Sequence, residues 1–561
     1  MRVHLHPSKV LLILWLCFLT RGLFYSAMLP VWEGYDEPFH FSFIQYVASH
    51  TGLPKPRNTP VSREVQASLH LVPLSWEQRL HAIEPPIYTE DSYWQLPRPI
   101  REQLQMQVRA MPPAWGSQPG TAPANYEAQQ APLYYWIMSI PLRLASSWPL
   151  PSRLLLVRAL SVLFASLVVP IAWSAAKQFF GHSWQAAAIV AVIVCMPELM
   201  IDIARAGNEC LGVVLYSLFT LLLLKASSAM NPKLLIAAGL VLGIGLLTKA
   251  YFLLAIPAFL LIAVNWGLKN RPARNQIFVN ATAGIGLALV ISSGWYWRSH
   301  LLTGTWSGEQ NNANAMRHGI GHVLRSVVHV NWISGIASIL LPNVWFGGWS
   351  FLKLPKPIYY VFVVGIGLTL LGVLRGALKD RLGSLKLFIV LSIYAFFWLG
   401  LLYDVLLIYV SIGVSATPGW YMYAVVVPEV LLVAYGFYSL SPERWHRAIL
   451  PAIATSFAVI DLYGATTLLV PYYTGLIAHV PGSDVVRPVG LSVLVHTSPY
   501  LVLSRLTVNK PVWLRPEVLA IVMVLYCAAT FLAVATAIVM STSRESRQQG
   551  GVLIVQSRPT T

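Results

Sequence analysis

The stretch VLLILWLCFLTRGLFYSAML, residues 10–29, is followed directly by PVWEGYDEPFH, residues 30–40. The first part is apolar over about 20 residues, the length that an α-helix needs to cross a bilayer. No small-residue cleavage site follows it, so we expect a retained helix with a cytoplasmic N-terminus rather than a signal peptide. The second part contains Pro, Gly and three acids, which predicts that the chain leaves the membrane there as a loop.

The whole composition extends this membrane prediction. Of the 561 residues, 56% are hydrophobic and only 11% are charged, whereas soluble domains carry roughly 25% charged residues. Much of the formal net charge of +17 lies in short loops between apolar stretches, as the orientation signal of membrane proteins requires. We therefore set nucleic-acid binding aside. The four cysteines show neither metal-ligand nor disulfide spacing.

Apolar stretches of spanning length recur along the chain and predict an all-α polytopic membrane protein with about twelve transmembrane helices. Beyond the first, they are expected at roughly 154–178, 184–202, 208–226, 233–248, 250–268, 276–297, 358–375, 385–409, 421–440, 447–470 and 517–540.

The distribution of Lys and Arg predicts an orientation. The short basic loops, and the tail with Arg544 and Arg547, are expected to be cytoplasmic. The longer connections 30–153, 298–357 and 471–516 then lie on the non-cytoplasmic side. In the first of them, short apolar and aromatic segments such as Ala131 to Leu144 are expected to form interfacial helices.

The first candidate motif is Tyr35-Asp-Glu-Pro-Phe-His40, just beyond the first span. Two adjacent carboxylates and a histidine can provide a general base or hold a divalent cation. The structural alternative is that Asp36 and Glu37 cap a helix that begins at Pro38. Both interpretations can hold together.

The second motif is Met200-Ile-Asp-Ile-Ala-Arg-Ala-Gly-Asn-Glu209, between the third and fourth spans. Counted from Glu198, its charged residues are four, three and four apart, which would place them on one face of a continuous helix. Charged groups at membrane depth usually face a polar cavity or each other. The alternative is a self-neutralising pair of Asp202 and Arg205.

Further candidates lie at predicted ends of spans. Lys249 could bind a lipid phosphate or extend its amine toward the interface. Arg298 follows a Trp-Tyr-Trp run, Tyr421 follows Gly419-Trp420, and aromatic belts alone explain such rings. Tyr126 to Tyr135 places Glu127, Gln130 and Tyr134 around the start of an interfacial helix, where ordinary polar caps are the alternative.

Taken in order, these motifs resemble the GT-C superfamily of polyprenyl-phosphate-sugar-dependent glycosyltransferases. That superfamily includes protein O-mannosyltransferases and the aminoarabinose and Rgt-type lipopolysaccharide sugar transferases. The resemblance covers roughly residues 1–440, with residues 441–561 forming a separate C-terminal part with its own loop 471–516 and a cytoplasmic tail. It rests on the acids after the first span, Pro-Leu-Tyr-Tyr at 132–135, Arg153 or Arg158, Asn208-Glu209 and Thr248-Lys249.

The Asp36-Glu-Pro-Phe-His40 variant is similar to an uncharacterised bacterial branch related to this superfamily. The chain departs from the pattern at Trp420, where many relatives have arginine before a tyrosine.

The resemblance implies an inverting glycosyltransferase acting on the non-cytoplasmic face of a bacterial inner or plasma membrane. It would use a polyprenyl-phosphate sugar donor and a membrane lipid, glycan or protein acceptor. It implies Asp36, Glu37 and Glu209 as catalytic residues, with Asp36 as the base. No cofactor is obligatory, and a divalent cation, if bound, would use Asp36, His40 and Glu209. The residues expected to bind substrate are His40, Glu127, Gln130, Tyr134, Arg205, Asn208, Lys249, Arg298 and Tyr421.

Two other classes of protein have similar spans. A multi-spanning transporter should show internal repeat symmetry, which the sequence lacks. A polysaccharide polymerase, ligase or assembly protein would bind lipid-linked glycans through the same contacts, so the sequence leaves this alternative open.

Overall fold

The computed structural model describes residues 6–75, 87–116, 124–379, 384–481 and 486–543. These ranges are mostly helical, which confirms an all-α polytopic membrane protein. The predicted basic tail with Arg544 and Arg547 lies outside them. Ten described helices are long and apolar enough to cross a membrane: Pro7–Met28, Leu150–Phe180, Glu209–Ser228, Ala250–Lys269, Arg274–Thr303, Lys356–Lys379, Leu385–Ile412, Gly419–Leu440, Glu443–Tyr473 and Pro516–Thr542.

The number of spans differs from the predicted twelve at two places. Ser183–Cys195 and Pro197–Ile203 form one apolar pair bent by 65° and raise the number to eleven. Leu234–Leu246 has only 13 residues. At 1.5 Å per residue it extends about 20 Å, short of a hydrocarbon core of about 30 Å. Hydropathy identified both stretches correctly but could not show a bend or a shortened helix.

Three longer connections contain the helices outside the spans, as expected for the first loop. Their bounds are Glu37–Ser49, Arg63–Leu69, Glu90–Gln95, Arg98–Ala110 and Leu133–Leu144 in the first connection, Gln310–Met316, Ile320–Ser326 and Trp332–Leu340 in the second, and Leu491–His496 and Pro499–Leu506 in the third. The strands in the described ranges have two residues each. Pro73–Leu74 pairs in parallel with Tyr88–Thr89, and Ala478–His479 pairs antiparallel with Val486–Arg487.

Two spans approach closely where glycines face each other. A Cβ atom on Gly372 would lie 1.9 Å from the carbonyl oxygen of Gly436. Only glycine fits at this crossing, and small residues are common where membrane helices pack without a hydrophobic driving force.

A buried ion pair joins the first span to the C-terminal helices. Arg21 Nη2 donates to Asp461 Oδ2 at 2.8 Å, and both side chains are fully buried. The hydroxyl groups of Tyr25 and Tyr526 also donate to this carboxylate. The C-terminal part therefore packs onto the N-terminal part, and the division at residue 440 stays a prediction.

Candidate active site

Asp36 has a backbone conformation that residues other than glycine seldom adopt. Its φ is 56°, in the left-handed region, which aspartate tolerates better than most residues. It stands directly before the helix Glu37–Ser49, yet its side chain makes no capping hydrogen bond. Instead its half-buried carboxylate accepts a hydrogen bond from the Tyr126 hydroxyl. Capping by the Asp36 side chain is therefore wrong, and the helix begins at Glu37, one residue before the predicted Pro38.

Glu37 has the opposite environment. Arg158 donates to both of its carboxylate oxygens, with Nε 2.7 Å from Oε1. The backbone N–H of Ala206 also donates to Oε1 at 3.0 Å. Further N–H groups of the Arg158 guanidinium donate to the carbonyl oxygens of Leu29 and Pro30, both at 2.7 Å. Glu37 is thus a neutralised anchor between the first loop, the second span and the turn before the helix Glu209–Ser228.

Arg205 and Lys249 place two cations on either side of Glu209. Arg205 Nη2 lies 2.7 Å from Glu209 Oε2, and Lys249 Nζ donates to the other oxygen, Oε1. Arg205 also donates to Asp202 Oδ1 at 3.0 Å and to the Tyr35 carbonyl oxygen at 2.5 Å. The Asp202–Arg205 pair is confirmed. The helix is not continuous, since it ends at Ile203 and restarts at Glu209.

The charge of Asp36 acts on Arg205, one of these two cations. Burial lowers the pKa of the Arg205 guanidinium, but the carboxylates of Asp202 and Asp36 outweigh that effect and raise the pKa. Within the described ranges, no cationic group lies within 4 Å of the Asp36 carboxylate. Asp36 is therefore near positive charge without being neutralised by an ion pair.

Lys249 is a cation whose charge is easily removed. Burial and the neighbouring Arg205 lower the pKa of its amine to about 8. Its Nζ lies 4.8 Å from the ring centre of Tyr421, within cation–π range. Tyr421 thus joins the cluster, while Trp420 stacks on Tyr35 with the ring centres 4.1 Å apart.

His40 and Glu127 lie close to each other within the first loop. His40 Nδ1 is 2.7 Å from the Tyr135 hydroxyl and 3.7 Å from Glu127 Oε2. Burial lowers the pKa of His40, and burial with the charge of Asp36 raises the pKa of Glu127. These directions favour the neutral form of both side chains.

Two amides hold three segments of the site together. Asn208 Nδ2 donates to Gln130 Oε1 at 3.2 Å and to the Thr248 carbonyl oxygen at 3.0 Å. Tyr134 is buried and its hydroxyl lies 3.0 Å from Ser161 Oγ. The predicted polar residues at 130, 134 and 208 therefore connect the loop to the spans.

Arg298 contacts a different part of the first loop. Its Nη2 donates to the carbonyl oxygen of Pro54 at 2.8 Å, and its guanidinium lies over the Trp295 ring at 5.2 Å. No recorded contact joins it to Lys249 or Arg205 in the described ranges.

The sequence motifs missed the carboxylate of Glu309 and assigned no role to that of Glu198. Gln129 Nε2 donates to Glu309 Oε2 at 3.3 Å, and burial raises the pKa of Glu309 to about 7. Glu198 accepts hydrogen bonds from the Tyr35 hydroxyl and from three successive backbone N–H groups at 346–348. Glu198 stood out by its spacing, whereas Glu309 carried the one available signal of being the last acid before a long acid-free stretch.

Asp36, His40 and Glu209, the ligands expected if a divalent cation is bound, are not arranged as a metal centre. Among the described residues, no group of three or more His, Cys, Asp or Glu side chains is arranged to hold an ion. Asp36, His40 and Glu209 each have other partners, as described above. We therefore derive no step that needs a metal.

Comparison with known proteins gives a family for part of the chain. The family described as dolichyl-phosphate-mannose-protein mannosyltransferase matches residues 129–297. No functionally curated protein matches the sequence.

Two solved structures are similar over much of the chain. One is ArnT from Cupriavidus metallidurans bound to undecaprenyl phosphate, with 14% identity, a TM-score of 0.39, and coverage of 87% of this chain and 76% of that one. The other is the Archaeoglobus fulgidus oligosaccharyltransferase in its apo form, with 12% identity and a TM-score of 0.43. That match covers 80% of this chain but only 55% of the oligosaccharyltransferase.

The helices and the charged cluster define a polytopic integral membrane protein with a polar site next to its first loop. The family match falls on the segment that holds Gln130, Arg205 and Lys249. It confirms the predicted resemblance over that segment.

Proposed function

We propose that this protein transfers a sugar from a polyprenyl-phosphate donor to a hydroxyl group of a lipid, glycan or protein acceptor, with inversion. The reaction would take place on the non-cytoplasmic face of a bacterial plasma membrane, with both termini cytoplasmic. The name of the matched family specifies a dolichyl-phosphate sugar, and we carry over only the chemical class of that donor. The observation that carries the proposal is that the Asp36 carboxylate has no ion-pair partner among the described residues, yet lies near enough to Arg205 to raise the pKa of its guanidinium.

In the proposed step, Asp36 takes the proton of the acceptor hydroxyl as its oxygen attacks the anomeric carbon. The new carbon–oxygen bond forms while the bond to the phosphate oxygen breaks, and the polyprenyl phosphate leaves as an anion. A positioned base of this kind typically contributes 10²–10⁴-fold. A leaving phosphate needs positive charge more than it needs a proton.

We assign that positive charge to Lys249 and Arg205. Both lie against Glu209, so Glu209 would hold the two cations in place rather than act as a base. Arg298 is bound to the backbone of Pro54, and we do not assign it to the donor phosphate. Tyr421, which lies under the Lys249 amine, offers a ring face to a sugar.

The remaining predicted residues surround this arrangement. His40 and Glu127, both favoured in the neutral form, can donate and accept hydrogen bonds to sugar hydroxyl groups. Asn208 donates a hydrogen bond to Gln130, so we propose that these two residues position the loop. Tyr134 connects the helix Leu133–Leu144 to Ser161 of the second span.

The proposal is tested with the purified full-length protein and a panel of polyprenyl-phosphate sugars and membrane glycolipids. Release of the lipid phosphate is followed for wild type, Asp36→Asn and the control Asp91→Asn. Asp91 is an acid of the same loop that pairs with His479. We expect release by wild type and by the control, and a loss of 10²-fold or more in Asp36→Asn.

Equal release by wild type and Asp36→Asn would show that Asp36 is not the base. Absence of release with every donor, together with donor binding, would favour an assembly protein for lipid-linked glycans. Uptake of a donor sugar into proteoliposomes without lipid-phosphate release would favour a transporter.

A further inference from the structure

The segment Gln310–Asn331 lies along the end of a membrane span, on the side of the candidate site. Ser411 Oγ, at the end of the span Leu385–Ile412, donates to the Asn311 carbonyl oxygen at 3.0 Å. The Asn331 N–H donates to Ser415 Oγ, also at 3.0 Å. Both ends of the segment are thus fixed where this span leaves the bilayer.

Neighbouring residues support a position at the membrane surface. Trp297 and Trp306 stand exposed at the end of the adjacent span Arg274–Thr303, as tryptophans do at the headgroup level. Arg57 donates to Asn314 Oδ1 at 3.2 Å, which ties the segment to the first loop.

The helix Ile320–Ser326 in this segment has three different faces. Val323 and Ser326 are buried against the protein, whereas Ile320 and Leu324 are 69% and 64% exposed. The polar face carries His322 and Arg325, both exposed. An exposed apolar face next to a basic face is typical of a helix that lies in the plane of a bilayer interface.

The segment carries basic residues but no acidic ones. The sequence contains no Asp or Glu from residue 310 to residue 379. Arg317 and Arg325 are exposed, and within the described ranges no acidic group lies within 4 Å of either. His318, His322 and His329 add further exposed imidazoles. In the orientation proposed above, short loops on this side normally carry few basic residues, so orientation alone does not explain them.

We propose that Gln310–Asn331 is a docking surface for anionic lipid headgroups of the adjacent leaflet. Ile320 and Leu324 would enter the acyl boundary, and Arg317 and Arg325 would bind the phosphate groups above it. Each basic residue near an anionic membrane surface adds to the attraction between the protein and that surface, and the segment contains no carboxylate that would compete for the two arginines. This binding does not depend on sugar transfer, so it is tested separately.

Native mass spectrometry of the full-length protein in non-ionic micelles measures the binding of phosphatidylglycerol and of phosphatidylcholine. We expect wild type to prefer phosphatidylglycerol. In Arg317→Gln/Arg325→Gln the ratio of the two affinities should fall on the order of tenfold. The matched control is Arg98→Gln/Arg109→Gln, which removes two exposed arginines of the first loop and should keep the wild-type ratio.

An unchanged ratio in Arg317→Gln/Arg325→Gln would overturn the proposal. Displacement of phosphatidylglycerol by an equal concentration of inorganic phosphate would also overturn it, because the site would then serve a soluble anion. A second variant, Ile320→Ser/Leu324→Ser, keeps the charges and should weaken binding of both lipids. All four substituted side chains are exposed, and thermal unfolding should match wild type.

Discussion

Asp36 and Glu37 are adjacent carboxylates whose surroundings prepare them for different tasks. The left-handed backbone at Asp36 turns its carboxylate toward Tyr126, whereas the first helical turn directs Glu37 at Arg158. Both oxygens of the Glu37 carboxylate are bound to the Arg158 guanidinium, so neither is left to contact a substrate. Glu37 therefore stabilises the loop that presents Asp36.

Replacing Glu37 by Gln should leave Arg158 as an uncompensated buried cation. Breaking a buried pair by removing one partner costs about 3–5 kcal/mol, so we expect a clearly lower Tm by thermal unfolding in detergent. Glu102→Gln is the control, because its pair with Arg98 is exposed and should change the Tm little. Equal melting of the two variants would contradict an anchoring role.

Lys249 gives the proposed reaction a pH limit. Its pKa is lowered to about 8, so raising the pH through that value removes the positive charge that would stabilise the leaving phosphate. We expect kcat/KM to fall above about pH 8. In Lys249→Arg the guanidinium stays charged, and the alkaline fall should disappear.

The control for this pH profile is Lys353→Arg, an exposed lysine on the same side of the protein. It should keep the wild-type profile. An identical alkaline fall in wild type and Lys249→Arg would assign that limit to another group.

At the scale of elements, Glu198 shows how a short helix positions a distant loop. It lies in the first turn of the helix Pro197–Ile203 and accepts hydrogen bonds from the backbone N–H groups of Phe346, Gly347 and Gly348. Because the Tyr35 hydroxyl donates to the same carboxylate, the second connection is fixed directly beside Asp36.

The crossing of Gly372 and Gly436 permits a stability test. A methyl group on Gly372 must displace the backbone of the facing helix, so Gly372→Ala should destabilise the protein by about 1–3 kcal/mol. Gly365 lies on the same helix with open space around its Cα, and Gly365→Ala should have no such cost. The two Tm values, measured in the same detergent, decide between close packing and a loose crossing.

Periodicity and hydropathy located every span but not the breaks within them. The charged residues from Glu198 to Glu209 would share one face only on a continuous helix, and the helix is interrupted at 204–208 instead. The guanidinium of Arg205 lies over Gly207, where a Cβ atom would come within 2.4 Å of Nη1. Such a turn depends on tertiary partners that local sequence does not contain.

At the scale of the whole molecule, the candidate site joins segments from the first loop, the turn at 204–208, the turn at Lys249 and Tyr421. Its predicted members could be named because charged residues are rare in apolar surroundings. The partner of each charged residue could not be predicted, because the partners are far apart in sequence. Glu37 and Arg158 are separated by 121 positions, and Lys249 and Glu209 by 40. Glu309 was missed because a single acid in a polar loop forms no motif with its neighbours, and its place before an acid-free stretch does not specify a function.

The Arg21–Asp461 pair should control how the C-terminal helices pack. Arg21→Met leaves Asp461 buried without its cation, and we expect a loss of about 3–5 kcal/mol in stability. Arg21→Met/Asp461→Leu removes both charges and should recover most of it. Thermal unfolding of the two variants against wild type measures the effect, and an equally unstable double variant would contradict it.

The same pair has a consequence for biogenesis. Arg21 enters the membrane with the first helix, but its partner is 440 residues further along the chain. At roughly 5–20 residues per second of synthesis, Asp461 follows about 20–90 seconds later. During that interval the nascent chain holds an uncompensated arginine within its first span, so the insertion machinery or a chaperone must shelter it until the last helices arrive.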